Sequence, residues 1–147
     1  MSWASNAETA RASAAQADLP YLLFFCDPDT AKFAGVGTNA RRAMLREHKG
    51  RVPAFTAFDN IDVVEALKRL NLTCAKVPLA QDNVELVRKM GIASDRTLVL
   101  CAPTGEAIAS LPGMSCVREN VLGLLRNIRV YYTAWKHRKA GANPLIK

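Results

Sequence analysis

A chain of 147 residues, half of them hydrophobic, can bury roughly 68–70% of the surface its unfolded form exposes, so one domain needs no metal or disulfide to hold it. That composition excludes a disordered chain, and no run approaches the ~20 apolar residues of a membrane span. The opening Met1-Ser2-Trp3-Ala4-Ser5-Asn6 lacks the basic start and apolar run of a signal peptide, which predicts a cytoplasmic protein.

Ser5, with Glu8 three residues on, reads as a capping box for an Ala-rich helix running to Ala17. Leu19-Pro20 ends it before Tyr21-Leu22-Leu23-Phe24-Phe25-Cys26, an unbroken apolar run of the kind found in central strands covered on both faces. Asp27-Pro28-Asp29-Thr30 signals a turn and a helix start. Gly35 and Gly37 weaken any helix after it; Asn39 then caps a basic helix predicted from Ala40 to about His48, stopped by Gly50. Between Phe55 and Asn71, Ile61, Val64, Leu67 and Leu70 recur at spacings of three, with Asp59 or Asn60 as cap. A strand over 72–79, a short helix over 82–90 stopped by Gly91, and a strand over 97–101 follow. The Pro103-Thr104-Gly105 turn joins that strand to a hairpin partner over 107–111. One closing helix carries the stripe Val121, Leu124, Leu125, Ile128, Tyr132 and Trp135.

These elements, in this order, resemble the thioredoxin-like superfamily, and within it the group that opens on a Trp-led helix. Trp3, then Ala7, Ala10, Ala14, Ala15 and Ala17, leads into Pro20-Tyr21-Leu22-Leu23-Phe24-Phe25 as that opening does. Lys76-Val77-Pro78-Leu79 through Met90-Gly91-Ile92 is similar to the family's second strand and helix. Thr97-Leu98-Val99-Leu100 with Pro103-Thr104-Gly105-Glu106 is similar to its third strand and turn. The resemblance spans about 3–127 and implies an α/β fold: a central mixed sheet of about four strands, ordered 2-1-3-4 and flanked by helices. To this the chain adds a basic insertion over about 30–52 after the first strand and a C-terminal helical extension. The expected division is a thioredoxin-like domain over 1–129 and a basic aromatic extension over 130–147.

The resemblance also says where redox chemistry belongs. The family's cysteine pair falls near Asp29 and Lys32, and its cis-proline falls at Arg96, where a trans bond is expected. Two-cysteine exchange needs a low-pKa thiolate and a resolving partner, and neither stands at those positions. Cys26 is the one candidate catalytic thiol near that edge; Asp27 and Asp29 beside it oppose a thiolate. Cys26, Cys74, Cys101 and Cys116 are too widely spaced for a C-x-x-C motif or a paired-ligand zinc site. There is no phosphate loop, and the sequence predicts neither metal nor cofactor.

The charge of +7 is regional. Segments 30–52 and 120–147 hold twelve of the 20 Lys and Arg with Glu47 as their single acid, while the remainder holds 8 basic and 12 acidic residues. Arg41, Arg42, Arg46, Lys49 and Arg51 form one candidate partner-binding cluster. Tyr131, Tyr132, Trp135, Lys136, Arg138 and Lys139 form a second, with Leu145-Ile146 as an apolar anchor at the chain's end. A scaffold without its chemistry predicts a non-catalytic docking or structural subunit of a larger assembly, bound to a protein partner with an acidic surface. Its location would be cytoplasmic, peripheral to a larger or membrane-associated assembly. The alternatives are a single-cysteine thiol oxidoreductase or redox sensor using Cys26, and a nucleic-acid-binding module; an anionic membrane surface also fits the second cluster.

Overall fold

Every residue of Tyr21–Cys26 is at most 3% exposed, and this strand organises the molecule. The computed structural model describes residues 3–50 and 52–142, which leaves Arg51, Leu145 and Ile146 outside the described residues. In chain order the elements are β1 (Trp3–Ala4), α1 (Ala7–Ala17), β2 (Tyr21–Cys26), α2 (Pro28–Phe33), α3 (Thr38–Glu47) and α4 (Ile61–Leu70). They continue with β3 (Cys74–Pro78), α5 (Val84–Met90), β4 (Thr97–Cys101), β5 (Ala107–Leu111), α6 (Arg118–Arg126) and α7 (Ile128–Ala142).

The sheet order is β1-β3-β2-β4-β5. β1 and β2 both run parallel to β3; β4 runs antiparallel to β2 and β5. The four strands expected from sequence keep their expected order, and β1 adds a fifth, through Trp3 opposite Cys74 and Ala4 opposite Ala75. Two residues are too few to carry a readable alternation, so only the tertiary pairing reveals this strand.

Alternation along the strands divides the core into two layers. Leu22, Phe24 and Cys26, with Cys74, Leu98 and Leu100, pack under Phe58 of the turn before α4 and under α4 and α6 through Val63, Leu67, Val121, Leu124 and Leu125. Tyr21, Leu23 and Phe25, with Ala75, Val77, Val99 and Cys101, pack against Ala10 and Ala14 of α1 and against Leu86, Val87 and Met90 of α5. The small alanine face lets α1 approach the sheet closely.

Several boundaries differ from those expected, each for a local reason. Asn6 caps α1, its side chain accepting from the Thr9 N–H at 2.8 Å, while Glu8 is taken by Arg11 instead of closing a capping box. α3 starts at Thr38 behind Gly37, whose φ of +91° no other residue adopts easily, and no side chain caps it. Asn60 caps α4 through the Asp62 N–H at 2.9 Å. The buried face of α4 is Val63, Ala66 and Leu67, with Ile61 70% exposed. Steps of three residues drift by roughly 60° around a helix of 3.6 residues per turn, so a run begun at Ile61 cannot stay on one face.

The closing helix is two helices. Asn127, at φ −105° and ψ 14°, sends its side-chain amide back to the Gly123 carbonyl at 2.9 Å, which breaks α6 from α7. The division expected between residues 129 and 130 therefore falls inside α7. Tyr132 is buried, and its hydroxyl donates to Asp18 Oδ1 at 2.8 Å, at the left-handed C-cap of α1. α7 packs against β5 and carries the chain from the α6 layer to the end of α1.

Candidate functional site

On the Phe24 face of β2, a cleft of about 660 Å³ lies between residues 55–60, the loop before β4 and residues 113–118. Beside it, β2 ends and the chain turns into α2. Asp27 is the N-cap of α2: it accepts from the Thr30 N–H at 2.9 Å and the Thr30 hydroxyl at 2.8 Å, with Pro28 opening the helix. Its own N–H donates to Asp95 Oδ1 at 2.8 Å, tying the end of β2 to the loop before β4. Next in that loop, Arg96 holds a φ of +61° and reaches across the cleft to the Ala54 and Phe55 carbonyls at 3.0 and 3.1 Å. Exposed Phe55, Met114 and Val117 line the opening, beside Cys116 and Arg118. Met114 is 96% exposed, an uncommon setting for a large apolar side chain on a cleft.

The electrostatics of the cleft disfavour thiol chemistry. Burial, then the Asp95 and Asp27 carboxylates, push the Cys26 thiol up to about 12, although Lys76 and Arg96 pull it down. Cys26 is fully buried at the end of β2. Cys116, the half-exposed cysteine of the cleft, is raised by burial to about 11. Burial likewise raises Cys74 and Cys101 to about 12. All four are free, and the strand register separates Cys74 from Cys101 by β2. Between the two acids, burial raises Asp27, but the hydrogen bonds from Thr30, with those involving Asp95 and the Asp29 backbone, together hold it below its ordinary value. Burial and the neighbouring Asp27 raise Asp95 instead. One acid thus stays ionised as a helix cap, and the other is displaced towards its protonated form.

The described residues of the two basic clusters expected from sequence lie at opposite ends of the sheet. α3 sits beyond the C-terminal end of β2, where its neighbour Phe55 meets Arg96. The aromatic-basic part of α7 sits at the other end: Lys136 pairs with Asp18 at 3.3 Å, and Lys139 with Glu106 of the β4–β5 turn at 2.6 Å. Of the α3 cluster, Arg42, Arg46 and Lys49 are exposed. Arg41 is withdrawn from that surface. It is 8% exposed because its guanidinium packs over Phe33 and Phe55 and donates to the Pro53 carbonyl. On α7, Tyr131 and Arg138 are exposed, and Trp135 is half-buried, stacked on Tyr132 with ring centroids 6.0 Å apart. Tyr132 is core, held by Asp18 and by Lys136 over its ring.

Sequence reasoning missed Asp95, the Arg96 clamp, and Lys76. The last is half-buried behind α2, donates to the Ala31 carbonyl at 2.8 Å and lies 4.8 Å from the Trp3 ring. A lone lysine in a largely buried strand is a readable signal; the Arg96 contacts span more than 40 residues and are not.

No protein-family model matches the sequence, and no curated protein matches it. Among solved structures, one described as a DsbH oxidoreductase superposes with a TM-score of 0.57 at 15% identity, covering 88% of this chain and 85% of the other. A disulphide isomerase from Xylella fastidiosa Temecula1 matches at a TM-score of 0.45 and 15% identity, over 90% of this chain and 87% of that one. Among the described residues, no helix is long and apolar enough to cross a membrane. Strand order, the two helical layers and the likeness to the first of these structures make the chain thioredoxin-like in fold.

Proposed function

We propose that this chain is a non-catalytic docking subunit of a larger protein assembly. The observation that carries the reading is the state of the thiol at the end of β2: Cys26 is fully buried, raised to about 12, and has no cysteine within two intervening residues. The cleft that a redox enzyme of this fold would use presents instead an exposed apolar rim of Phe55, Met114 and Val117. Exposed Arg42, Arg46 and Lys49 near one end, and Tyr131, Trp135, Lys136, Arg138 and Lys139 at the other, suit a partner with an acidic surface. Four free thiols suit a cytoplasmic home.

The test is size exclusion and affinity capture of the tagged chain from its native extract, at low and at moderate salt. A stable complex with acidic proteins supports the reading; a chain that runs only as a free monomer counts against it. Capture of nucleic acid, or of anionic vesicles, would transfer the basic surfaces to those partners. A second reading, thiol oxidoreductase, takes its support from the name of the DsbH structure. It requires a thiol that reacts faster than a model thiol at neutral pH. Turnover in an insulin-reduction assay, lost in Cys26→Ser, would establish it over the docking role.

A further inference from the structure

The groove between the start of α3 and helix α4 holds a charge that the chain does not answer. The Arg41 guanidinium lies 4.2 Å from the Phe55 ring centroid and 5.2 Å from that of Phe33, and Nη2 donates to the Pro53 carbonyl at 2.6 Å. Nη1 is buried without a partner, and among the described residues no carboxylate pairs with this arginine. The acid lining the groove, Asp59, is already committed. Its Oδ1 accepts from the Gly35 N–H at 3.1 Å, and its Oδ2 from the Thr56 N–H at 2.7 Å and the Thr56 hydroxyl at 3.1 Å. A buried cation left without a counter-ion is costly, and a ligand that supplies one recovers that cost.

The first turn of α3 opens on the same groove. Gly37 and Thr38 line it, no side chain caps the helix, and the first turn contains no acid. Its N–H groups have no acceptor within the helix and carry the positive end of the helix dipole. The remaining wall is apolar: Phe55 and Ile61 are 71% and 70% exposed, and Leu45 is 38% exposed, around a volume of about 590 Å³. An apolar hollow with a few converging polar donors is the general form of a small-ligand site.

We propose that this groove binds a carboxylate carried on an apolar body. The two oxygens take Arg41 Nη1 and the first-turn N–H groups of α3, while the body lies on Phe55, Ile61 and Leu45. The Phe55 ring covers a face of the guanidinium but is 71% exposed, so the proposal requires it to turn aside and open Nη1 to the groove. A free organic acid and the C-terminus of a peptide ending in an apolar residue both carry this group.

Calorimetric titration of the full chain separates the possibilities. The probes are 4-phenylbutyrate against 4-phenylbutyramide, and the peptide Gly-Ser-Leu-Phe with a free against an amidated C-terminus. At least one acid should bind about tenfold or more tightly than its neutral counterpart; which acid does so assigns the source. Arg41→Met should lose that preference. Because Arg41 is packed, a second variant guards against misfolding: Thr38→Asp, at an exposed helix start, should keep or raise the Tm while weakening the acid about tenfold. Amides binding as well as acids, an unaffected Thr38→Asp, inorganic phosphate binding as tightly as phenylbutyrate, or no binding of either acid at millimolar concentration would each overturn the proposal.

Discussion

Ending the chain after Arg129 removes most of α7 and tests whether that helix belongs to the body or hangs free. The decisive residue is Tyr132, 9% exposed and anchored on Asp18. An aromatic side chain buries about 150–250 Å², which at roughly 25 cal/mol per Å² is worth about 4–6 kcal/mol as an upper bound. A compact unfolded chain and the position of Tyr132 at the margin of the core reduce this to about 2–4 kcal/mol. For a domain of this size each 1 kcal/mol moves the Tm by about 3–4 °C, so the truncated chain should remain folded and melt about 6–15 °C lower. Tyr132→Ala in the full chain should reproduce most of that loss. Trp135→Ala, whose ring stacks on Tyr132 from a half-buried site, should reproduce less. The assay is far-UV circular dichroism on heating, at neutral pH and low protein concentration. A truncated chain melting within 2 °C of the full one, on the same scale of about 3–4 °C per kcal/mol, would refute the reasoning and return α7 to the role of a free arm.

Three further outcomes follow from the same geometry. Gly35→Ala should destabilise by about 2 kcal/mol or more in a urea titration, since the residue sits at φ +68° and the new Cβ would lie 2.8 Å from Trp3 Cζ2; an unchanged midpoint would mean that Trp3 does not pack there. Asp95 has a folded pKa raised above its unfolded value, so its contribution favours the fold below that unfolded value and is lost as pH rises through the folded one. Asp95→Asn should therefore raise the Tm at pH 7 and lose its advantage near pH 3; an equal gain at both values would rule out titration as the cause. Under native conditions iodoacetamide should label Cys116 before Cys26, and the Cys116 rate should climb about tenfold per pH unit up to about 11. Mass spectrometry finding Cys26 labelled as fast as Cys116 would contradict its burial.

What could be read in the sequence was whatever a short window encodes. The unbroken apolar run of β2, the Gly91 stop, and the strand-turn-strand around Pro103-Thr104-Gly105 all specify local structure that the tertiary fold leaves intact. Errors fell where distant residues decide. Arg41 reads as one of a basic group on a solvated helix, and only the approach of Phe33 and Phe55 from other segments buries it. Tyr132 reads as an interface aromatic until Asp18, more than a hundred residues away, accepts its hydroxyl. The cleft was legible only in part. Cys26 beside it could be located, but Cys116 in its lining was not singled out, and the Asp27–Asp95 tie and the arginine clamp on the Ala54-Phe55 backbone join segments that no local pattern links.

The separation of the two basic regions has a consequence for how the chain can be used. α3 and the groove beside it adjoin the end of β2 that carries Asp27, whereas Lys136 and Lys139 are anchored near its beginning. Between them runs a strand of six residues, about 20 Å at 3.3 Å per residue, buried on both faces. The span between the two poles is set by the most deeply buried strand of the sheet. If both poles are engaged as proposed above, the chain would act as a strut, and the spacing it sets would be lost only when the sheet itself unfolds.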